Sequence, residues 1–384
     1  PRKFDGQIRF LILNWRDTKH KWAGGAEVYV HELAKNLVMR NHQVTIFCGN
    51  DGISKNSETI DGVHIIRRGG FFTVYFWAAI YYIFKFQDRF DIIIDAENGV
   101  PFFTPLYSRR PKFLLIFHIH QEFFRKNLSF PLLQLASFLE RTGMPLIYAR
   151  EKVMTISDST LADILKLGVF KRDDIFIVNP GVEVAVTDKK YELTPYPSLI
   201  YLGRLQPYKN VDIAIKAFGE VQKRYPNAIL NIAGVGECQA SLVELVSDLK
   251  LEESVIFHGK VSELEKSRLY QQSWLAIQPS SYEGWGITVI ESNMFGTPVV
   301  ASNIPGLRDS VVDSKTGYLV KPKNITAFVN AINKILGNEK LRVRLSKASV
   351  ERAKKFSWSD MTDNFLKAIH SEKINQIYNN NEIK

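Results

Sequence analysis

Cysteine is scarce in this sequence. Cys48 and Cys238 are the only cysteines among its 384 residues, and they lie far apart along the chain. Two distant cysteines provide neither a disulfide framework nor the close spacing of a metal-binding motif. We therefore expect the protein to work in a reducing, cytoplasmic compartment.

Long apolar runs are missing too. The longest, residues 71–84 (FFTVYFWAAIYYIF), is shorter than the roughly 18–20 residues that cross a bilayer, so we expect neither a spanning segment nor a signal peptide. The run predicts a buried helix. The alternative is a face that rests on the membrane interface, which would place the protein at the inner face of the membrane.

The net charge is strongly positive, but no single region carries it. The formal charge of +10 divides into +5 for residues 1–185 and +5 for residues 186–384. A basic protein attracts anionic partners such as nucleic acids, membrane surfaces or phosphorylated substrates. Because nucleic-acid-binding proteins gather their charge into a patch or an arm, we expect no nucleic-acid partner.

Short β-rich runs alternate with longer helical patterns along the whole sequence. Each run is apolar and bounded by turn or helix signals, which is typical of buried parallel strands in an α/β protein. So many strands divide more easily into two sheets than into one, and we expect two Rossmann-like domains with parallel sheets. The predicted strands are Ile8–Leu13, Val44–Cys48, Asp91–Asp95, Lys112–Phe117, Lys152–Ile156, Ile175–Val178, Leu199–Leu202, Ile229–Ala233, Val255–His258, Leu275–Gln278 and Val299–Ala301.

The domain boundary is predicted between Asn179 and Pro197, where the sequence is rich in proline, charge and turn formers. We assign residues 1–183 to the first domain and 184–357 to the second. A last helix, at about residues 358–377, is expected to pack back on the first domain. Ligands of open α/β sheets collect at the carboxyl ends of the strands, so two such sheets facing each other would form a ligand-binding cleft.

A pair of glycines, Gly24 and Gly25, lies between the first predicted strand and an amphipathic helix. Paired glycines at such a junction let backbone N–H groups approach a phosphate, and the positive end of the helix favours the negative charge. A tight turn that simply needs glycine explains the pair equally well.

Two histidines follow the predicted strand Lys112–Phe117. His118 lies at the end of that strand, where an imidazole can donate a hydrogen bond or shuttle a proton near neutral pH. His120 is interpreted equally well as a loop histidine bonded to the backbone, and we favour His118 because it is closer to the strand end. Histidines at i and i+2 could instead bind a metal, but no third ligand with suitable spacing accompanies them, and we expect no metal site.

A basic loop, GRLQPYKN, follows the first predicted strand of the second half. Its Arg204 and Lys209 can converge on one anion, such as a diphosphate, beside the start of the next helix. A solvated basic loop is the alternative. The following strand ends in AGVGE, where Gly234 allows a flexible turn, but the complete dinucleotide-binding fingerprint is missing.

The most specific element is PSSYEGWGITVIE, residues 279–291. Glu283 precedes a sharp turn at Gly286, and Glu291 lies about one turn into a helix that begins near Ile287. The two carboxylates therefore flank helix-start N–H groups, which can hold a sugar hydroxyl, a ribose diol and a diphosphate. A retaining glycosidase also uses two carboxylates, but these lie about 5 Å apart, a separation that the spacing of Glu283 and Glu291 does not predict. The other alternative is a pair of surface glutamates.

Together these residues resemble the family-4 retaining glycosyltransferases of the GT-B fold. The glycine pair, His118, the loop GRLQPYKN and the Glu-x7-Glu element occur in the expected order along nearly the whole chain. One departure is the stretch NIPGLRD at residues 303–309, where the family often has several glycines before an acid. The resemblance implies a metal-independent hexosyltransferase that needs no cofactor and uses a nucleoside-diphosphate sugar as co-substrate.

The resemblance also implies a role for each motif residue. Arg204 and Lys209 would bind the diphosphate, Glu291 the ribose and Glu283 the transferred sugar, while His118 would touch the sugar near the reacting carbon. The base, whether uridine, guanosine or adenosine, is not specified by the sequence. Further donor contacts are expected at Gly24, Gly25, Gly234, Gly286, Ile287 and Thr288.

The first domain would then bind the acceptor, a sugar or a lipid-linked molecule used in glycan, glycolipid or polysaccharide synthesis. The apolar stretches 71–84 and 130–139, combined with basic charge, favour an acceptor at a membrane. Other classes of function remain open at this point. They are a sugar-nucleotide epimerase or a phosphorylase of similar build, and a non-catalytic nucleotide-binding protein.

Overall fold

A computed structural model describes residues 6–121, 124–125, 128–183 and 191–371. The chain divides into two units, one made of Pro1–Gly181 with Trp358–Lys384 and the other of Val182–Ser357. Part of the predicted linker and part of the predicted helix at 358–377 lie outside the described residues.

The strands of the first unit are apolar and largely buried. Eight of them form one sheet: β1 (Arg9–Leu13), β2 (Gln43–Cys48), β3 (Ser57–Ile60), β4 (Val63–Arg67), β5 (Ile92–Glu97), β6 (Lys112–Ile116), β7 (Lys152–Thr155) and β8 (Ile175–Ile177). Their spatial order is β3-β4-β2-β1-β5-β6-β7-β8. Every residue of β5 and β6 is buried, as expected for central strands of a parallel sheet.

Six strands form the sheet of the second unit: β9 (Ser198–Leu202), β10 (Ile229–Ala233), β11 (Val255–Gly259), β12 (Leu275–Gln278), β13 (Val299–Ser302) and β14 (Gly317–Val320). All neighbours are parallel, in the order β11-β10-β9-β12-β13-β14. Leu199 and Tyr201 lie in one apolar cluster, whereas Ile200 between them lies in another. Because successive side chains of a strand point to opposite faces, this sheet has a core on each side.

Helices connect these strands. They are α1 (Gly25–Met39), α2 (Val74–Tyr81), α3 (Leu132–Phe138), α4 (Met144–Ile147), α5 (Asp158–Leu165), α6 (Val211–Gln222), α7 (Gln239–Asp248), α8 (Glu263–Gln272), α9 (Ile287–Met294), α10 (Pro305–Ser310), α11 (Ile325–Leu336), α12 (Glu339–Ala353) and α13 (Trp358–Ile369). None of the helices within the described ranges combines the length and the apolar character needed to cross a bilayer.

The expected α/β fold with two parallel-sheet domains is confirmed, and each predicted strand is present within a residue or two. The first sheet is not wholly parallel, however, because β3 pairs antiparallel with β4. The reason is a two-residue turn: Asp61 and Gly62 both have positive φ, the backbone geometry of a tight hairpin.

The last described helix, α13, belongs to the first unit. Arg40 at the end of α1 donates hydrogen bonds to Ser359 and to Asp363, the latter over 2.9 Å. The ring of Phe365 is buried and lies 5.9 Å from that of Phe10 in β1. The first unit is thus assembled from two segments that are distant in sequence.

The aromatic run at residues 71–84 is only partly buried. Val74 and Ala78 of α2 face the core, whereas Phe72, Phe76 and Phe84 are 68%, 66% and 79% exposed. The prediction of a buried helix is therefore wrong for about half of the run. Its aromatic side chains form an apolar surface instead.

Candidate active site

Two glycines lie in close contact at the carboxyl edge of the second sheet. Gly203 follows β9, and Gly234 follows β10 with φ +146°. A Cβ atom on Gly234 would lie 1.9 Å from the carbonyl oxygen of Gly203, so only glycine permits this approach of the two loops. The sequence-predicted Gly234 therefore shapes the edge where ligands of such sheets bind.

The basic loop after β9 brings one cation against a carboxylate. Lys209 forms an ion pair with Oε1 of Glu283, and their side chains are 15% and 14% exposed. Arg204 donates from Nη2 to the hydroxyl of Tyr208 over 2.6 Å. Since Tyr208 directly precedes Lys209, both cations belong to one short, ordered loop.

The loop that carries Glu283 is anchored to this basic loop. The amide of Asn210 donates to the carbonyl of Pro279 over 2.9 Å and to the hydroxyl of Ser281 over 2.7 Å. Ser280 donates to Oε1 of Glu283 over 2.9 Å. A Cβ on Gly306, the single glycine of NIPGLRD, would lie 2.1 Å from the Glu283 carbonyl oxygen. These contacts fix where the Glu283 carboxylate lies.

Helix α9 begins next to Glu283. Gly286 has φ +81° at its start, and a Cβ there would lie 2.8 Å from Leu307. The side chain of Thr288 accepts a hydrogen bond from Gln278 Nε2 over 2.9 Å. The first turn of a helix leaves its N–H groups without intrahelical acceptors, so the residues from Ile287 onward can bind an anion.

Glu291 has a partner that the sequence did not predict. Lys266 of α8 lies 2.8 Å from its Oε1 and 2.6 Å from Oε2 of Glu263. Burial alone would lower the pKa of Lys266, but the two carboxylates outweigh burial and raise it. Lys266 is separated from Glu291 by a strand and a loop, so no local motif could have connected them.

In the first unit, the glycine pair starts α1. Gly24 is extended and its N–H donates to Oε2 of Glu27 over 2.6 Å, which is a capping contact. Glu27 is buried and pairs with Arg16 over 3.0 Å. The Gly24 N–H thus already has an acceptor, and a phosphate would have to compete with Glu27 for it.

The two histidines differ in their surroundings. Their rings are tilted by 37° with centroids 3.8 Å apart, but His118 is half-buried and His120 is buried. His120 Nδ1 lies 3.2 Å from Oε1 of Glu140 and 3.5 Å from Oε1 of Glu97. Neither glutamate was predictable from the sequence, because β5 and the segment after α3 are distant from the histidines in the chain.

Burial governs the ionisation of this cluster. It lowers the pKa of His120 to about 3, so the ring is neutral near pH 7. It raises the pKa of Glu140 to about 7. Burial also raises the pKa of Glu97 well above its usual value, and the charge of Glu140 adds to this effect. The two carboxyl groups cannot both ionise here without a compensating charge.

Among the described residues, the structure therefore joins Lys209 to Glu283 directly and Arg204 to the same loop through Tyr208. It places Glu291 against Lys266, a residue outside the predicted set. His118, Gly24 and Gly25 belong to the first unit.

Two family models match consecutive parts of this chain. The model described as Glycosyltransferase Family 4 matches residues 23–186, and the model described as Glycosyl transferases group 1 matches residues 186–352. The chain belongs to the family-4 glycosyltransferases. Every candidate residue of this family-4 chain lies inside one of the two matched ranges.

Relatives and solved structures agree with this assignment. The D-inositol 3-phosphate glycosyltransferase of Nocardia farcinica is 29% identical over 213 residues, which are 51% of this chain and 47% of the relative. The family-4 chain spans about half the length of the curated relatives it matches.

Two solved structures share the fold over nearly their whole length. Sucrose-phosphate synthase of Thermosynechococcus elongatus superposes with a TM-score of 0.75 at 19% identity, covering 97% of this chain and 99% of that one. HepE of Anabaena, solved in complex with UDP and glucose, gives 0.73 at 17% identity, covering 94% and 99%. These likenesses confirm the expected GT-B fold.

Proposed function

We propose that this family-4 chain is a retaining glycosyltransferase that moves a sugar from a nucleoside-diphosphate sugar to an acceptor hydroxyl. The observation that carries the proposal is the Lys209–Glu283 contact beside the start of α9, with Arg204 on the same loop. A carboxylate that can accept hydrogen bonds from sugar hydroxyls thus lies beside a cation that can bind a diphosphate.

The leaving group sets the main chemical demand. As the bond between the anomeric carbon and the diphosphate oxygen breaks, negative charge develops on the diphosphate. Arg204, Lys209 and the N–H groups at the start of α9 would stabilise that charge. The acceptor oxygen forms its new bond on the face that the diphosphate leaves, and a phosphate oxygen takes the acceptor proton. No protein base is then required.

The remaining candidate residues would orient the donor. Glu283 would accept hydrogen bonds from the transferred sugar, and Glu291 would accept them from the ribose hydroxyls. His118 would donate to the sugar near the reacting carbon. Gly25, Gly234 and Thr288 would add backbone or side-chain contacts. Retention predicts that the coupling constant of the anomeric proton is the same in donor and product, and an inverted product would refute it.

Binding of nucleoside diphosphates tests the donor site. We expect UDP, GDP or ADP to bind the full chain in calorimetry, with UDP tried first because the Anabaena relative was solved with UDP and glucose. Replacing Arg204 and Lys209 together with alanine should weaken binding on the order of 100-fold, since two charge-assisted contacts are lost.

A matched control is Lys216→Ala, which removes an exposed cation of α6 that pairs only with Asp212 among the described residues. Its affinity for UDP should equal that of the wild type. If the Arg204 and Lys209 double variant binds every tested nucleoside diphosphate as tightly as the wild type, the donor site is not here. A donor that is isomerised rather than transferred would identify an epimerase instead.

The departure of the diphosphate should not require a divalent cation, because Arg204 and Lys209 would neutralise its developing charge. We expect the affinity for UDP to be equal in excess EDTA and in millimolar Mg²⁺. Weaker UDP binding in EDTA that Mg²⁺ restores would contradict this part of the proposal.

The acceptor is proposed to lie at an anionic membrane surface. Phe72, Phe76 and Phe84 expose large apolar areas, and Lys85 lies 4.7 Å from the ring centre of Tyr81 beside them. Exposed aromatic rings flanked by cations favour the interface of an anionic bilayer.

Co-sedimentation with vesicles tests this contact. We expect binding to phosphatidylglycerol vesicles at low salt, little binding to phosphatidylcholine, and a loss of several-fold in the Phe76→Ser, Phe84→Ser double variant. Leu264→Ser removes an apolar side chain of the second unit that is 53% exposed, and it should leave binding unchanged. If the protein does not bind phosphatidylglycerol vesicles at low salt, the proposed membrane contact is refuted.

A further inference from the structure

Three buried side chains from distant parts of the first unit meet beyond the carboxyl ends of β5 and β6. Glu97 is the last residue of β5, His120 follows β6, and Glu140 lies in a π-helical turn at Leu139–Gly143. One ligand atom from each lies within 4.8 Å of the other two. We propose that Glu97, His120 and Glu140 bind a divalent transition-metal cation, with Zn²⁺ as the best-suited ion.

The separations between these atoms suit a small cation. His120 Nδ1 is 3.2 Å from Oε1 of Glu140 and 3.5 Å from Oε1 of Glu97. Ligand atoms bound tetrahedrally to zinc at about 2.1 Å are themselves about 3.4 Å apart. Both separations from His120 match this value, and the ligand atoms of Glu97 and Glu140 lie within 4.8 Å of each other.

Among the residues that the structure describes, the cluster also lacks a cationic side chain. Within the described ranges, neither Glu97 nor Glu140 has a lysine or arginine nitrogen at ion-pair distance. Other buried carboxylates at this sheet edge are satisfied: Glu27 pairs with Arg16, and Asp95 accepts hydrogen bonds from Tyr148 and Thr104. Two carboxylates that share a buried site without a counter-charge are costly.

One oxygen of Glu97 is also left without a partner. Its side chain is fully buried, yet Oε2 has no hydrogen-bond donor among the described residues. Buried carboxylate oxygens are almost always hydrogen-bonded or bound to a metal. A cation bound between the three side chains would give this oxygen a partner.

Neighbouring groups hold the ligands in place. The N–H of Gly99 donates to Oε1 of Glu97 over 2.6 Å, and the N–H of His120 donates to Oε1 of Glu140 over 2.5 Å. The amide of Gln121 donates to the other oxygen of Glu140 over 2.6 Å. Such outer contacts orient the ligands of metal sites. An imidazole beside two carboxylates suits Zn²⁺ or Mn²⁺ better than Mg²⁺ or Ca²⁺, which prefer oxygen alone.

The site would position the loop after β6. The ring of His118 lies against that of His120, with centroids 3.8 Å apart, so a cation that fixes His120 would also restrain the ring proposed to contact the sugar. The three ligands belong to the first unit and differ from Arg204, Lys209 and the helix start proposed to stabilise the diphosphate. Metal binding and donor binding are therefore separable.

The test measures metal binding to the full-length chain without any sugar substrate. After EDTA treatment and desalting, Zn²⁺ is titrated by calorimetry, and Co²⁺ is added separately to record its visible absorption. We expect about one equivalent of Zn²⁺ at micromolar affinity or better, and Co²⁺ bands typical of four or five nitrogen and oxygen ligands. Mg²⁺ should not bind.

Glu97→Gln and His120→Asn should each weaken Zn²⁺ binding on the order of 100-fold or more, since even the loss of an outer contact costs roughly 10–100-fold. His64→Asn removes an exposed histidine of β4 and should bind Zn²⁺ as the wild type does. Circular dichroism checks that the variants are folded. The proposal is overturned if the wild type binds less than about 0.1 equivalent at 100 µM Zn²⁺, or if folded Glu97→Gln binds Zn²⁺ unchanged.

Discussion

At the scale of single residues, the candidate donor site depends on backbone positions that only glycine can occupy. Gly234 and Gly306 each approach a carbonyl oxygen so closely that a methyl group would overlap it. Gly306 matters for the candidate site because the carbonyl oxygen that it approaches belongs to Glu283. The candidate side chains are thus positioned by the close backbone approach that glycine allows.

Gly306→Ala should damage the site and the stability of the chain together. Its Cβ would lie 2.1 Å from the Glu283 carbonyl oxygen, so the backbone of one loop must shift. We expect a loss of about 1–3 kcal/mol in the free energy of unfolding and weaker UDP binding, measured by denaturation and calorimetry.

Gly219→Ala is the matched control for that substitution. The glycine lies inside α6, and its Cβ would lie 3.4 Å from Leu251, an ordinary contact. Alanine is favoured over glycine in a helix by up to about 1 kcal/mol, so this variant should be slightly more stable than the wild type. Equal effects of the two substitutions would contradict the steric account.

Lys266 provides a second residue-scale prediction. Lys266→Met leaves Glu291, whose side chain is 17% exposed, without its cation. If Glu291 binds the ribose, its orientation is lost and the affinity for UDP should fall about 10-fold in calorimetry. Lys266→Arg, which keeps the charge, should bind UDP nearly as well as the wild type. An unchanged affinity in Lys266→Met would exclude a positioning role for this lysine.

At the scale of elements, α13 completes the first unit. Phe365→Ala removes a buried ring that packs near Phe10, and such a change costs about 3–5 kcal/mol. Hydrogen exchange should show faster exchange in peptides that cover β1. The exposed neighbour Asn364→Ala should have almost no effect. Unchanged protection of β1 in Phe365→Ala would mean that α13 does not support the first sheet.

The strands were predictable because burial on both faces leaves a local pattern of unbroken apolar residues. The hairpin of β3 and β4 was not predicted, because its strands mix polar and apolar residues at an exposed sheet edge. The Asp61–Gly62 pair between them is nevertheless a known hairpin signal. Strand β14 was missed as well, because it is short and only partly buried.

The candidate donor site was predictable only in part. Arg204, Lys209, Glu283 and Glu291 stand out because each follows a strand or starts a helix. Lys266 was not predicted, because it is distant from Glu291 in the sequence and contacts it only in the folded chain. Glu97 and Glu140 reach His120 in the same way, so spacing along the sequence could not connect them.

At the scale of the whole molecule, acid should weaken the fold. Burial would raise the pKa of Asp51, but the N–H groups of Ile53, Ser54 and Lys21 outweigh it and lower that pKa to about 2. A carboxylate whose pKa is lowered by folding stabilises the protein at pH values above its unfolded pKa of about 3.9. That stabilisation disappears as the pH falls from about 4 to about 2.

Melting temperatures of the wild type and Asp51→Asn, recorded from pH 7 to pH 2, test this expectation. The wild type should melt higher above pH 4, and the difference should vanish near pH 2. Glu244→Gln changes an exposed carboxylate of α7 and should follow the wild type throughout. A difference between wild type and Asp51→Asn that is constant over this pH range would contradict the prediction.

The split composition of the first unit has a consequence for biosynthesis. Val182–Ser357 is one continuous stretch, whereas the first unit is complete only after α13 has been synthesised. At about 5–20 residues per second, translating the intervening 175 or so residues takes roughly 10–35 seconds. During that time the nascent chain keeps the α13-binding face of α1 and β1 uncovered, which makes this face a natural target for chaperones.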